Sequence, residues 1–150
     1  MLRPPGGGVP GLRCRGRVAV VVGSRSDLEY AERAEKVLRG AGVEVEVRVL
    51  SAHRDPEALD EFIRSSCGRV DVYIAMAGLS AALPGYIASR CGKPVVGVPL
   101  PVGPLKGVDA LLSIVQMPRG VPVASVGIGA AENAALFALR VLAAGSRCGE

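Results

Sequence analysis

The sequence predicts an α/β sandwich, a single parallel five-stranded sheet with helices on both faces. Apolar runs alternate with helical patterns five times along the chain, which is the signature of repeated β-α units. Two of those runs, at the first and third strand positions, are apolar at nearly every residue, as strands buried on both faces are. The length is one domain's worth: 150 residues, 49% of them hydrophobic and 21% charged, suffice for a sizeable core.

The first strand is Arg17–Val22, a short β-branched run. Leu28, Ala31, Ala34, Val37, Leu38 and Ala41 then recur at helical spacing. The opposite face of that helix carries three acid-to-base pairs at i,i+4, namely Glu29–Arg33, Glu32–Lys36 and Glu35–Arg39. Gly40 and Gly42 close it. The second strand, Val43–Leu50, alternates strictly, so one face is wet and the strand belongs at an edge. Asp55-Pro56 reads as an N-cap followed by a first-turn proline, and Leu59, Phe62 and Ile63 give a short helix. The third strand is Val70–Ala77, followed by a small helix around Ser80–Cys91 and a fourth strand, Pro94–Val98. A proline-rich loop, Pro99 to Gly107, leads to a helix at Val108–Val115, a fifth strand at Pro122–Ile128 and a C-terminal helix at Ala130–Ala144. With the first and third strands central and the second at an edge, the strand order is 2-1-3-4-5, the flavodoxin-like arrangement. Residues 1–16 read as a flexible N-terminal extension, 17–145 as the one folded domain and 146–150 as a C-terminal tail.

Composition removes several classes of function. The formal charge is +4, but Arg3, Arg13, Arg15 and Arg17 stand in the first 17 residues without an acid among them. The rest of the chain holds 14 basic and 14 acidic residues, so no field for a polyanion arises from the folded body and nucleic acid is not an expected partner. Aromatics are 3% with no Trp, which argues against a base-stacking surface. The apolar runs break well before the ~18 residues a membrane span needs, and the N-terminus has no apolar segment of the secretory type. It is Arg-rich and acid-poor like an organellar transit peptide, but its Pro and Gly content opposes the amphipathic helix such peptides form. Cys14, Cys67, Cys91 and Cys148 form no C-x-x-C pair and have no neighbouring His, so no zinc site is expected. They read as isolated small hydrophobes in a reducing cytoplasm.

The polar residues gather in the loops that follow the strands' carboxyl ends, where ligands bind in such sheets. Gly23-Ser24-Arg25-Ser26-Asp27 follows the first strand, Ser51-Ala52-His53-Arg54 the second, and Ala77 through Gly85 the third. The first loop opens a helix, whose free N–H groups and positive end suit a phosphate. Ser24 and Ser26 add hydroxyls, and Asp27 could accept hydrogen bonds from ribose. Ser26 with Glu29 also fits a capping box; the two roles are compatible. The loop is neither G-x-G-x-x-G nor a Gly-Lys-Ser/Thr phosphate loop, so neither dinucleotide nor ATP chemistry is indicated. His53 is the chain's only histidine and the one side chain whose unperturbed pKa lies near 7. If the protein transfers protons, His53 is the natural carrier; the competing reading is a structural histidine. Arg54 can hold a phosphate as a planar fork or make a surface ion pair. The small residues of the third loop let a flat ring approach the backbone or allow close helix–strand packing. These residues alone describe a nucleotide-binding α/β domain with one proton carrier, and a non-catalytic binding module fits as well. A flavin electron carrier is disfavoured by the lack of aromatics to sandwich the ring.

G-S-R-S-D, S-A-H-R-D-P, A-G-L-S-A-A-L-P-G, G-V-P and S-I-V-Q-M-P-R-G-V-P-V occur in an order and spacing that resemble the PurE family of purine biosynthesis, from about Val18 to Leu142. The resemblance implies a three-layer flavodoxin-like fold assembled as a homo-octamer. It implies one of two activities, neither needing ATP, metal or biotin. Class I members convert N5-carboxyaminoimidazole ribonucleotide to 4-carboxyaminoimidazole ribonucleotide, drawing their substrate from an ATP-dependent synthetase. Class II members carboxylate aminoimidazole ribonucleotide directly with CO2. Ser24, Asp27 and Arg54 match the family's nucleotide-binding positions, Gly23, Ser26, Ser51 and Gly78 match neighbouring pocket positions, and His53 matches its general acid/base. In the mutase reaction the carboxyl group leaves the exocyclic nitrogen as trapped CO2, which ring carbon 4 then attacks. A small apolar pocket at Gly78, Ala81 and Ala82 would suit that CO2. The chain departs from class I at Ala82, where A-A-H-L-P-G is usual, while Leu79-Ser80 partly echoes class II. Leu83-Pro84-Gly85 and Gln116-Met117-Pro118 look class I, so the expected activity is the mutase, with direct carboxylation as the alternative. Related domains that carboxylate pyridine nucleotides usually carry an extra N-terminal domain.

Overall fold

The computed structural model describes residues 11–149. Its main sheet is built from β2 (Arg17–Val22), β3 (Glu44–Val49), β4 (Val72–Ala77), β5 (Val95–Pro99) and β6 (Ala124–Ser125), all parallel. Their order, β3-β2-β4-β5-β6, is the expected 2-1-3-4-5 when counted from the strand at Arg17. β2, β4 and β5 are the buried centre, and alternating β3 lies at an edge. The pleat divides β2 between two cores. Val18, Val20 and Val22 pack with Ile74, Met76, Val96 and Val98 beneath α1 (Leu28–Gly40) and α5 (Ala131–Ala144). Ala19 and Val21 face the other way with Tyr73 and Ala75, against α2 (Pro56–Ser66), α3 (Leu83–Ala88) and α4 (Val108–Val115). The chain thus forms the three-layer flavodoxin-like sandwich.

Several local expectations differ from what forms. The fifth strand keeps only two of its seven expected residues. Pro122 has no N–H to give a ladder, and the glycines at 127 and 129 bend the chain away. α3 is six residues long, beginning at Leu83 where Pro84 sets the first turn. The Ser26–Glu29 capping box does not form: α1 starts from Asp27 after a 3-10 turn at Arg25–Asp27, and Ser26 instead hydrogen-bonds Ser24 at 3.0 Å between the hydroxyls. Of the three helical ion pairs only Glu35–Arg39 closes among the described residues. Arg33 turns to Glu132 on α5, a bidentate contact at 2.8 Å that spans two helices rather than one turn.

The cysteine expectation is overturned. Cys14 pairs with Cys148 and Cys67 with Cys91, leaving no free thiol among the described cysteines. Separations of 134 and 24 residues carry no spacing signal, yet the fold brings each pair together. Cys14 lies in β1 (Arg13–Cys14) and Cys148 in β7 (Cys148–Gly149), an antiparallel pair in which the two cysteines face each other. Those strands sit within the stretches the sequence assigns to extension and tail, so residues 13–14 and 148–149 pack with the domain. Residues 1–10 lie outside the described residues. Cys67 caps the C-terminal end of α2, and Cys91 follows α3.

Candidate active site

The carboxyl ends of β2, β3 and β4 release three adjacent loops, and these enclose a cavity of about 450 Å³. Its lining includes all eight residues expected to meet the nucleotide or carry its proton: Gly23, Ser24, Ser26 and Asp27 from the first loop, Ser51, His53 and Arg54 from the second, and Gly78 from the third. Of the proposed CO2 pocket, Gly78 and Ala82 line the cavity, but Ala81 is buried in the core beneath it.

The second loop is a tight turn fixed by its own polar groups. The Arg54 amide donates to Ser51 Oγ at 3.1 Å, the Asp55 amide to the Ser51 carbonyl at 2.9 Å, and the Ser51 amide to Asp55 Oδ2 at 3.4 Å. Asp55 does precede α2, but its carboxylate braces this turn and makes no capping bond to the helix. The turn presents His53 exposed at the cavity, and no described side-chain hydrogen bond holds its ring. Arg54 reaches across to the first loop and donates to the Gly23 carbonyl at 2.9 Å, so the two loops are latched together.

Asp27 is buried at 6% exposure. Burial pushes its carboxyl above the ordinary carboxylate range, and the Arg54 guanidinium nearby pulls in the opposite direction. The site therefore holds a desolvated carboxyl, a guanidinium, two serine hydroxyls and one imidazole around a space with apolar walls at Ala52, Ala77, Leu83 and Val102. Such a set can bind a phosphate and sugar hydroxyls and move a proton on a flat ring.

The third loop owes its shape to close backbone approach. A Cβ on Gly78 would stand 2.7 Å from Val102, so only glycine fits there. Val102 belongs to the proline-rich loop after β5, and the sequence gives no sign that it reaches the cavity. Leu79, Ser80 and Leu83 also line it without having been assigned a role. Leu79 adopts a left-handed backbone, φ 56°, which is strained for a branched-chain residue.

A flavodoxin-like sheet with a cavity of this size at its switch point, lined by a guanidinium, hydroxyls, a carboxyl and an exposed imidazole, belongs to the class of small-molecule-binding α/β proteins. The profile of the AIR carboxylase family matches residues 17–148. An N5-carboxyaminoimidazole ribonucleotide mutase of Methanocaldococcus jannaschii is 54% identical over 126 residues, covering 84% of this chain and 78% of that protein. A protein of the same name from Saccharolobus solfataricus is 51% identical over 127 residues, 84% of this chain and 80% of its own. The crystal structure of Treponema denticola PurE superimposes with a TM-score of 0.78 at 31% identity, over 85% of this chain and 80% of that one. The chain belongs to the AIR carboxylase, or PurE, family.

Proposed function

We propose that the protein is an N5-carboxyaminoimidazole ribonucleotide mutase of purine biosynthesis, an isomerase that needs no ATP or metal. The observation that carries this reading is the convergence of His53, Arg54, Asp27 and Gly78 on one cavity, in a chain half identical to proteins named for that reaction. Arg54 and the serines at the start of α1 hold the phosphate, where the helix's free N–H groups add to the attraction. Asp27 takes the ribose hydroxyls. The ring lies toward the third loop, with Gly78 and Ala82 leaving room for CO2 beside it. His53 protonates the exocyclic nitrogen as the carboxyl group departs. Carbon 4 then bonds to the trapped CO2, and the imidazole removes the proton from that carbon, restoring itself. With Ala82 in place of a second histidine, His53 is the only imidazole in the chain and serves both transfers.

The deciding experiment supplies N5-carboxyaminoimidazole ribonucleotide in one arm and aminoimidazole ribonucleotide with bicarbonate in the other. Faster formation of 4-carboxyaminoimidazole ribonucleotide from the first supports the mutase. Faster formation from the second makes the protein a direct carboxylase, and failure of both leaves a binding module.

The same reading extends to assembly and setting. Val108, Leu112 and Val115 are exposed on α4 while Ala110 and Ile114 are buried, so apolar side chains stand on its outer face as well as its inner one, interrupted by Asp109 and Ser113. Leu105, Ile128 and Phe137 add to the exposed apolar surface. Such area is covered by other copies of the chain, assembled as the homo-octamer implied by the family resemblance. An ATP-dependent synthetase supplies the N5-carboxylated substrate. No described helix is long and apolar enough to cross a membrane; a purine-synthesis role points to the cytoplasm, and two disulfides there put the protein with the exceptional intracellular proteins that keep such bonds.

A further inference from the structure

Leu79 is an apolar side chain that the fold itself does not require. Its backbone lies in the left-handed region, φ 56°, where glycine would be unstrained. It is 49% exposed, and it belongs to neither hydrophobic core. It precedes α3 without capping it. Yet a second loop is shaped to receive it. A Cβ on Gly103 would come within 2.6 Å of Leu79 Cδ2, and Gly103 has a positive φ of its own, +76°. Beside this contact Val102 leans over Gly78, again at a distance only glycine allows. The loops after β4 and β5 thus interlock through two glycine contacts, and the lock holds the Leu79 side chain at the wall of the cavity. Of the non-glycine residues with positive φ among those described, Leu79, Lys106 and Ser146, only Leu79 lines the cavity, and strain held at a ligand pocket points to a role in the bound state.

We propose that Leu79 is a specificity-determining wall of the active site, covering the substrate's ring and keeping CO2 beside it until carbon 4 attacks. The proposal rests on the mutase reading and adds to it what decides the fate of the intermediate. When the bond from nitrogen to the carboxyl carbon breaks, its electron pair stays on nitrogen, which takes the proton, and CO2 is released. Two outcomes then compete. Carbon 4 bonds to CO2 and loses its proton, giving the 4-carboxylated product, or CO2 escapes and aminoimidazole ribonucleotide remains. An apolar wall slows the escape and keeps water from the reacting centre.

The test compares the wild type with Leu79→Gly and Leu79→Ser in single-turnover reactions on N5-carboxyaminoimidazole ribonucleotide, measuring 4-carboxylated product against aminoimidazole ribonucleotide. Nonenzymatic decarboxylation is subtracted, and thermal melting is recorded for each protein. Leu79→Gly relieves the strained backbone and should melt no lower than the wild type. Its ratio of product to decarboxylated nucleotide should fall about tenfold, the scale on which loss of apolar pocket contacts acts. Leu79→Ser should show the same fall, which ties the effect to lost apolar cover rather than to backbone freedom. An unchanged ratio in both variants, with the wild type converting substrate normally, overturns the role of Leu79 and leaves the mutase reading intact. A wild type that does not convert this substrate overturns the mutase reading, and with it the role given to Leu79.

Discussion

Asp27 and His53 bring a buried carboxyl and an exposed imidazole to the same cavity. Asp27 binds its proton more tightly in the folded chain than in the unfolded one, because burial disfavours its charge. Its ionised form therefore opposes folding. The penalty is absent below the ordinary value of 3.8, grows as pH rises through the window above it, and is complete beyond the folded value. Asp27→Asn should leave the protein at least as stable at pH 7, with the advantage vanishing toward pH 3, while weakening ribonucleotide binding; melting curves against pH and calorimetric titration check the two halves. His53→Asn should lower turnover by roughly 10²–10⁴ with binding retained, as loss of one general acid/base does. At Gly78 a methyl group has no space beside Val102, so Gly78→Ala should cost about 1–3 kcal/mol by denaturant titration. That eight polar and glycine residues would meet at one cavity was legible in the sequence, because they lie at strand ends, where topology alone predicts convergence. Val102 was not, and Leu79, though inside a loop expected at the site, had no role assigned to it. Their presence at the cavity depends on how two loops far apart in sequence pack, and an apolar residue in a loop carries no chemical flag.

Among the elements, the central strands and α1 were readable because periodicity reports burial directly. β6 and α3 were overestimated because apolar content continues past the point where proline and glycine end regular hydrogen bonding. The contact between Arg33 and Glu132 shows the limit of local rules, since a partner on another helix displaced the one four residues away. That bond holds the Glu132 carboxyl below the usual range. A carboxylate whose pKa is lowered on folding contributes stability above its unfolded value, about 4.5, and loses it as pH falls through the folded one. Both side chains are 46% exposed, so Glu132→Gln should cost no more than about 1 kcal/mol at pH 7 and low salt. The cost should disappear in acid and in high salt, which a melting series across both variables would show.

For the whole molecule, the disulfides change what the hydrophobic core must do alone. In the chain-entropy account, closing loops of 24 and 134 residues stabilises the folded state by roughly 3–5 kcal/mol each, more for the longer. Replacing Cys14 and Cys148 by Ser should lower the melting temperature more than replacing Cys67 and Cys91, and a reductant should reproduce the sum in the wild type. The cavity lining contains no cysteine, so turnover below the melting range should survive either change. Nothing in cysteine spacing announced this pairing, which becomes visible only once the sheet brings the ends of the chain together.

The bond between Cys14 and Cys148 turns the covalent path from residue 14 to residue 148 into a closed ring. A protease that cuts once in an exposed turn outside the Cys67–Cys91 span leaves that ring opened but unsevered, and the two fragments travel as one species on a gel until the sulfurs are reduced. The same closure offers a protein engineer a chain already joined between residues 14 and 148, ready to be reopened elsewhere.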